Sequence, residues 1–188
     1  MAHPAVLSLN EAFPGKIGAP IEFRGETALA VDKTLLPALA SHLRGLGYRF
    51  LLDVSSLDHF GEEPRFEMVY EFYNLEANLH LRLKSRVSED DLQVPTLTGL
   101  YRTADWHERE VYDMMGIVFT GHPDLRRILM WEGYPYFPLR KDFPLEGKTS
   151  DEGATAFSRP APLEGGPFVT APAVLSQERE PRARPPAL

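Results

Sequence analysis

Residues 79–87, LHLRLKSRV, restrict the fold of this chain more than any other stretch. Leu79, Leu81, Leu83 and Val87 point one way, and His80, Arg82, Lys84 and Arg86 point the other. A period of two is that of a β-strand with one face buried and one face wet or covered by a partner. Such a strand needs neighbours. FEMVYEFY at 66–73 supplies one, with Phe66, Met68, Tyr70 and Phe72 on one face and Glu67, Val69, Glu71 and Tyr73 on the other. If the two strands pair as a hairpin, Glu67 and Glu71 lie across from Arg82, Lys84 and Arg86. Aromatic residues on both faces of the 66–73 strand predict a sheet covered on two sides.

RFLLDVSSL at 49–57 reads as a third strand, and its near-continuous apolar start suggests a central position. The pieces 21–23 and 28–31 flank Gly25 and can form an N-terminal hairpin. A helix is predicted over 34–46. Asp32 or Thr34 can cap it, and Leu35, Leu36, Leu39, Leu43 and Leu46 form one stripe. Pro37 is tolerable only near its first turn, and Gly47 suits the position just past its end. Residues 88–102 read as a short turn and loop divided by Pro95, and residues 1–20 show little pattern. Beyond 145 the chain turns rich in Gly, Pro, Ala and Ser, which a compact fold does not easily bury. This segment reads as either a disordered tail or an arm laid over a neighbour, and Phe157, Leu163, Phe168, Val169, Val174 and Leu175 would give an arm something to grip with. The expected fold class is α+β, a small mostly antiparallel or mixed sheet packed with helices. The expected organisation is an N-terminal lead over 1–20, this domain over 21–145, and an extended C-terminal arm over 146–188.

Composition removes several functions. The chain has no cysteine, which excludes disulfides, thiolate-held iron–sulfur clusters and thiol nucleophiles, and is compatible with a cytoplasmic protein. The first twenty residues do not read as a signal peptide. No run approaches the roughly 18 apolar residues of a membrane span, so membrane association is expected only through a partner. A net charge of −7 argues mildly against nucleic acid.

Catalytic-looking residues crowd into 105–143. Asp105 and Glu108 have the capping-box spacing, predicting a helix from Trp106 to about Met115 that Gly116 ends. Val111, Tyr112, Met114 and Met115 form its apolar face, with His107 within it. Arg109, Glu110 and Asp113 gather around Trp106 on the other, where Arg109 and Asp113 are spaced to pair. Glu108 falls inside the apolar arc. Either it caps the helix and favours the dipole, or it reaches a basic group in the fold or on a partner. His107-Glu108-Arg109-Glu110-Val111 starts like the zinc motif HExxH but lacks the second histidine, and His59, His80 and His122 lie far apart. Glu108, Glu110, Asp113, His122 and Asp124 are types that do acid–base work. Yet charged residues make up 25% of the chain, so their presence says little. There is no phosphate-binding glycine loop and no nucleophile elbow. Arg126–Arg127 and Arg140–Lys141–Asp142 sit beside large apolar groups, and Pro135, Pro138 and Pro144 stiffen the strip, as suits an interface.

Two blocks are distinctive. Glu108-Arg109-Glu110, Asp113-Met114-Met115-Gly116-Ile117, Phe119 and Gly121-His122-Pro123-Asp124-Leu125-Arg126-Arg127-Ile128-Leu129 form the first, and Pro138-Leu139-Arg140-Lys141-Asp142-Phe143-Pro144-Leu145 the second. Together they resemble the 30-kDa subunit family of respiratory complex I, the NADH-quinone oxidoreductases, and the likeness extends more loosely over 30–145. The resemblance implies a hydrophilic peripheral-arm subunit on the cytoplasmic side of the membrane, with no redox cofactor of its own. FMN, iron–sulfur clusters and quinone would belong to the assembled complex, which passes electrons from NADH to quinone and moves protons. The chain would clamp the 49-kDa subunit near the iron–sulfur relay and above the quinone chamber, its tail running over that neighbour. Glu108, Arg109, Glu110 and Asp113 would make the helix contacts, and Arg126, Arg127, Arg140, Lys141 and Asp142 would face the partner. Equivalent subunits serve membrane-bound hydrogenases and ferredoxin-dependent complexes. A contrasting reading is a small hydrolase or metalloenzyme built on His107, Glu108, Glu110 and His122.

Overall fold

A computed structural model describes residues 3–144, of which 3–143 pack as one unit. The expected arm over 146–188, with its scattered apolar residues, lies outside the described residues. In chain order the elements are α1 (Pro4–Ala12), β1 (Ile21–Phe23), β2 (Glu26–Ala30), α2 (Leu36–Gly45), β3 (Phe50–Asp58), β4 (Phe66–Asn74), β5 (Leu79–Val87), β6 (Gln93–Pro95), α3 (Ala104–Met115) and β7 (Val118–Thr120). Single 3-10 turns at Lys33–Leu35 and Glu89–Asp91 precede α2 and β6.

Five strands form one sheet in the order β1-β2-β5-β4-β3. All pairs are antiparallel except β2 with β5, so the sheet is mixed. The β4–β5 register puts Glu71 opposite Arg82 and Glu67 opposite Arg86, as the alternation predicted. Strand β3 lies at an edge of the sheet and not at its centre. Its apolar start alternates across a bulge between Leu51 and Asp53: Leu51 and Val54 are buried, whereas Phe50 and Leu52 are exposed.

The inner face carries Phe66, Met68, Tyr70 and Phe72 from β4 and Leu81, Leu83 and Val87 from β5, all fully buried. Leu36, Leu39, Ala40 and Leu43 of α2 join the same core. A Schellman motif ends that helix: Tyr48 N–H donates to the Leu43 carbonyl (3.0 Å) and Gly47 N–H to the Arg44 carbonyl (3.2 Å). Gly47 has φ +91°, as the stop signal required.

The first residues depart from the expected loose lead. Pro4–Ala12 form a helix with proline in its first turn, and Ala5, Val6 and Leu9 are buried in the core. It docks on α2, where Ser8 Oγ and His42 Nε2 are 2.9 Å apart. Three apolar positions in nine residues, with no side-chain cap, are too little for a periodicity to declare itself.

The outer face also differs from expectation. Among the described residues it is open. Ion pairs run along it, Lys84 to Glu67 (2.9 Å), Arg82 to Glu71 (2.8 Å) and Arg82 to Glu26 (2.9 Å). They line a shallow depression beside the exposed Leu52 and Leu57.

Placing α1 in the core predicts that Leu9→Ala costs about 3 kcal/mol in denaturant unfolding of the full chain. An unchanged midpoint would detach α1 from the core.

Candidate interaction site around α3

Helix α3 starts at Ala104, earlier than the capping-box spacing implied. Its N-cap is Thr103, whose hydroxyl makes no cap bond and instead donates to the Leu51 carbonyl of β3 (2.9 Å). Glu108 therefore lies beyond the first turn and cannot reach back to Asp105. At the other end Gly116 adopts φ +78°, and its N–H donates to the Tyr112 carbonyl (2.9 Å). A Cβ there would come within 2.7 Å of Arg140 Nη2 and of the Phe137 ring. Only glycine lets the later strip cross so close to the helix end.

The odd carboxylate of the apolar face, Glu108, is fully buried. It does not cap the helix, and among the described residues the one basic side chain near it is His122 of the turn after β7. Oε2 accepts from the Thr96 hydroxyl (2.5 Å) and Oε1 from Leu97 N–H (2.7 Å), so Glu108 holds the segment after β6 onto α3. Burial pushes its pKa up to about 7; those two hydrogen bonds counter the shift and Asp105 adds to it. The His122 side chain is also buried, with Nε2 3.4 Å from Asp105 Oδ1 and 4.0 Å from Glu108 Oε2.

Asp113, likewise fully buried, does not pair with Arg109. Its Oδ2 accepts from three successive backbone N–H groups, Ile128 (3.0 Å), Leu129 (2.7 Å) and Met130 (2.9 Å). Its Oδ1 accepts from Arg127 Nη1 at 2.7 Å, and Arg127 also donates to the Asp113 and Tyr136 carbonyls. Burial pushes this carboxyl up, but the N–H groups and the guanidinium outweigh it and hold the group below the ordinary carboxylate range. Arg109 stacks on Trp106, 5.2 Å from the ring centroid, and donates to the Arg126 carbonyl.

A second cluster anchors residues 137–143. Arg140 donates from Nε to the Met115 carbonyl (2.7 Å) and lies over the Phe137 and Phe66 rings. Lys141 N–H donates to Asp58 Oδ2 (2.8 Å). The buried Arg65 grips Asp58 through two bonds of 2.8 Å and also meets Glu89 (2.9 Å) and Asp142 (3.1 Å). Arg65 holds the Asp58 carboxyl below its usual range.

The expected partner-facing set thus divides. Arg127 and Arg140 turn inward, because each finds several acceptors inside the domain that repay its desolvation. Asp142 is half-exposed beside Arg65. Arg126 is exposed and pairs with Asp124 at 2.9 Å, and Glu110 is exposed. Around them stand Trp106, Leu129 and Leu139, each more than half exposed. The hydrolase residues do not converge. Glu108 and His122 come together, but His107 pairs with Asp53 of β3 (3.2 Å) and Glu110 faces outward. The three scattered histidines keep separate partners, His59 with Glu67, His80 with Glu71 and His122 with Asp105. Sequence reasoning missed Arg65, Asp58, Thr96 and Tyr70. Residues 58–65, DHFGEEPR, read only as a polar turn, with nothing local to mark Arg65 as buried.

Comparison with known proteins gives a consistent set of similarities. The model of the family described as respiratory-chain NADH dehydrogenase, 30 Kd subunit, matches residues 29–149. The chain is 56% identical over 150 residues to the C 2 subunit of NADH-quinone oxidoreductase from Rhizobium etli (strain CIAT 652), covering 74% of this chain and 79% of that protein. It is similar in structure to Nqo5, solved as a trypsin-resistant fragment, with TM-score 0.57, 32% identity, and coverage of 64% of this chain and 96% of that one. A chain of an archaeal membrane-bound sulfane sulfur reductase shares the fold, with TM-score 0.65 at 23% identity over 74% of this chain and 84% of that one.

Two measurements separate the roles of these carboxylates. Asp113→Ala should cost about 3–5 kcal/mol in denaturant unfolding, because it strands a buried guanidinium. Asp124→Ala should cost less than about 1 kcal/mol, because its ion pair is exposed. Glu108 has a folded pKa above its unfolded value. Its stabilising contribution is complete below about pH 4.5 and is lost as pH rises through about 7. Glu108→Gln should remove a decline of about 3 kcal/mol between those limits, read from unfolding curves across the pH range.

Proposed function

Since the chain belongs to the family of the respiratory-chain NADH dehydrogenase 30 kDa subunit, we propose that it acts as the 30-kDa-type subunit of an NADH-quinone oxidoreductase, scaffolding the 49-kDa subunit. In this reading FMN, the iron–sulfur clusters and the quinone belong to the assembled complex, and this chain contributes shape and electrostatic fit. It would sit on the cytoplasmic side of the membrane, attached through its partners. No described helix is long and apolar enough to cross a membrane.

One observation carries the proposal. Glu108, Asp113, Arg127 and Arg140 are engaged inside the domain, while large apolar side chains are left outside on a strip tied to it. Asp113 and Arg127 fix the backbone of 127–130, and Arg65, Asp58 and Arg140 fix 139–141. Trp106, Leu129 and Leu139 remain exposed along this scaffold. Pre-ordered aromatic and aliphatic groups beside an exposed arginine bind a protein surface at low entropic cost.

The full chain co-purified with its 49-kDa homologue tests this. The double variant Trp106→Glu, Leu129→Glu should weaken that pairing by about thirtyfold or more, with the melting temperature of the free chain unchanged. Undiminished affinity in a folded double variant would defeat this assignment of the surface.

A further inference from the structure

Three oxygen-bearing side chains are hydrogen-bonded in series, one fully buried and two half-buried. Glu108 Oε2, fully buried, stands 2.5 Å from Thr96 Oγ1, which stands 2.9 Å from Thr98 Oγ1. Both threonines are half-buried. Thr98 N–H donates to Thr96 Oγ1 (3.1 Å) and holds the two hydroxyls together.

A hydroxyl both donates and accepts, so this chain can run in either direction. With Glu108 ionised, Thr96 donates to the carboxylate and Thr98 donates to Thr96. With Glu108 protonated, Oε2–H donates to Thr96 and Thr96 donates to Thr98. Leu97 N–H stays on Oε1 in both states. No heavy atom has to move between them.

We propose that Glu108 is an internal proton-binding site, filled and emptied along the Thr96–Thr98 hydroxyl chain. On release, the Oε2–H bond breaks as Thr96 Oγ1 takes that proton. Thr96 gives its own hydroxyl proton to Thr98, and Thr98 gives its own to a solvent water. Each hydroxyl ends with one proton, and one proton has passed from carboxyl to solvent. Uptake is the reverse.

The surroundings suit such a site. The titratable groups facing Glu108 are Tyr70 from β4, Asp105 from its own helix and His122 from the turn after β7. The Tyr70 hydroxyl is buried and has no hydrogen-bond partner among the described residues. His122 Nδ1 accepts from Asp124 N–H (3.1 Å), and its Nε2 lies 3.3 Å from the Asp105 carbonyl and 4.0 Å from Glu108 Oε2. Asp105 disfavours charge on Glu108, and the Leu97 N–H and Thr96 hydroxyl favour it. Burial holds the carboxyl at a pKa of about 7, so both states are populated at neutral pH.

The infrared band of the protonated carboxyl in the full chain tests the proposal, through its pH dependence and its rate of hydrogen–deuterium exchange. The native chain should show one carboxyl titrating near neutrality, absent from Glu108→Gln. Thr98→Val should leave the midpoint in place and slow exchange about tenfold or more, because the proton then waits for local opening. Thr98→Ser should restore the native rate. A near-neutral carboxyl surviving in Glu108→Gln, or native exchange rates in Thr98→Val, would overturn the site or its path.

Discussion

The buried Asp113 carboxylate is the interaction on which the α3 region depends. It sits on a helix and gathers three backbone N–H groups and one guanidinium from a segment with no strand or helix of its own. Residues 121–143 are mostly turns, so their backbone groups must find partners elsewhere or face water. Asp113 supplies that partner at 128–130, the Met114 carbonyl supplies it at Leu139, and Asp58 supplies it at Lys141. A loop tied this way behaves as part of the framework. Its outward side chains project from a backbone that the domain itself holds in place.

The same economy explains where the charges went. Buried ions are tolerable only when every lone pair or proton has a partner. Arg65 meets three carboxylates, and Arg127 meets a carboxylate and two carbonyls. The inward charges thus build one connected joint between sheet, helix and strip. The sheet's outer face pairs its charges in plain view of solvent, where each pair is worth less.

Legibility in the sequence followed the range of the interaction. Strand β5 was readable to its last residue because its alternation is local, and α2 and its glycine stop were readable because caps and stripes are local too. Strands β6 and β7 were not, since three residues carry no period and their parallel pairing joins segments far apart. Glu108 stood out as misplaced on the apolar face, but its acceptor role needed Thr96, twelve positions earlier and on no shared element. The Arg109–Asp113 spacing was sound, yet an i,i+4 pair worth a few tenths of a kcal/mol loses to four converging donors from the 127–130 turn. The arginines read as partner-facing because sequence shows composition around a residue and not the acceptors that fold towards it.

The parallel pairing of β2 with β5 has a consequence for the order of assembly. Ala28 lies beside Arg82, 54 positions further along the chain. The antiparallel β3–β4–β5 meander closes through contacts near in sequence, but β2 has no edge to join until β5 is in place. As the chain leaves the ribosome, β2 must therefore wait for β5, and β1 waits with it, whereas α1 docks on α2. The small share of the core that the first strands contribute, Leu29 of β2, is sealed late, although it is made early.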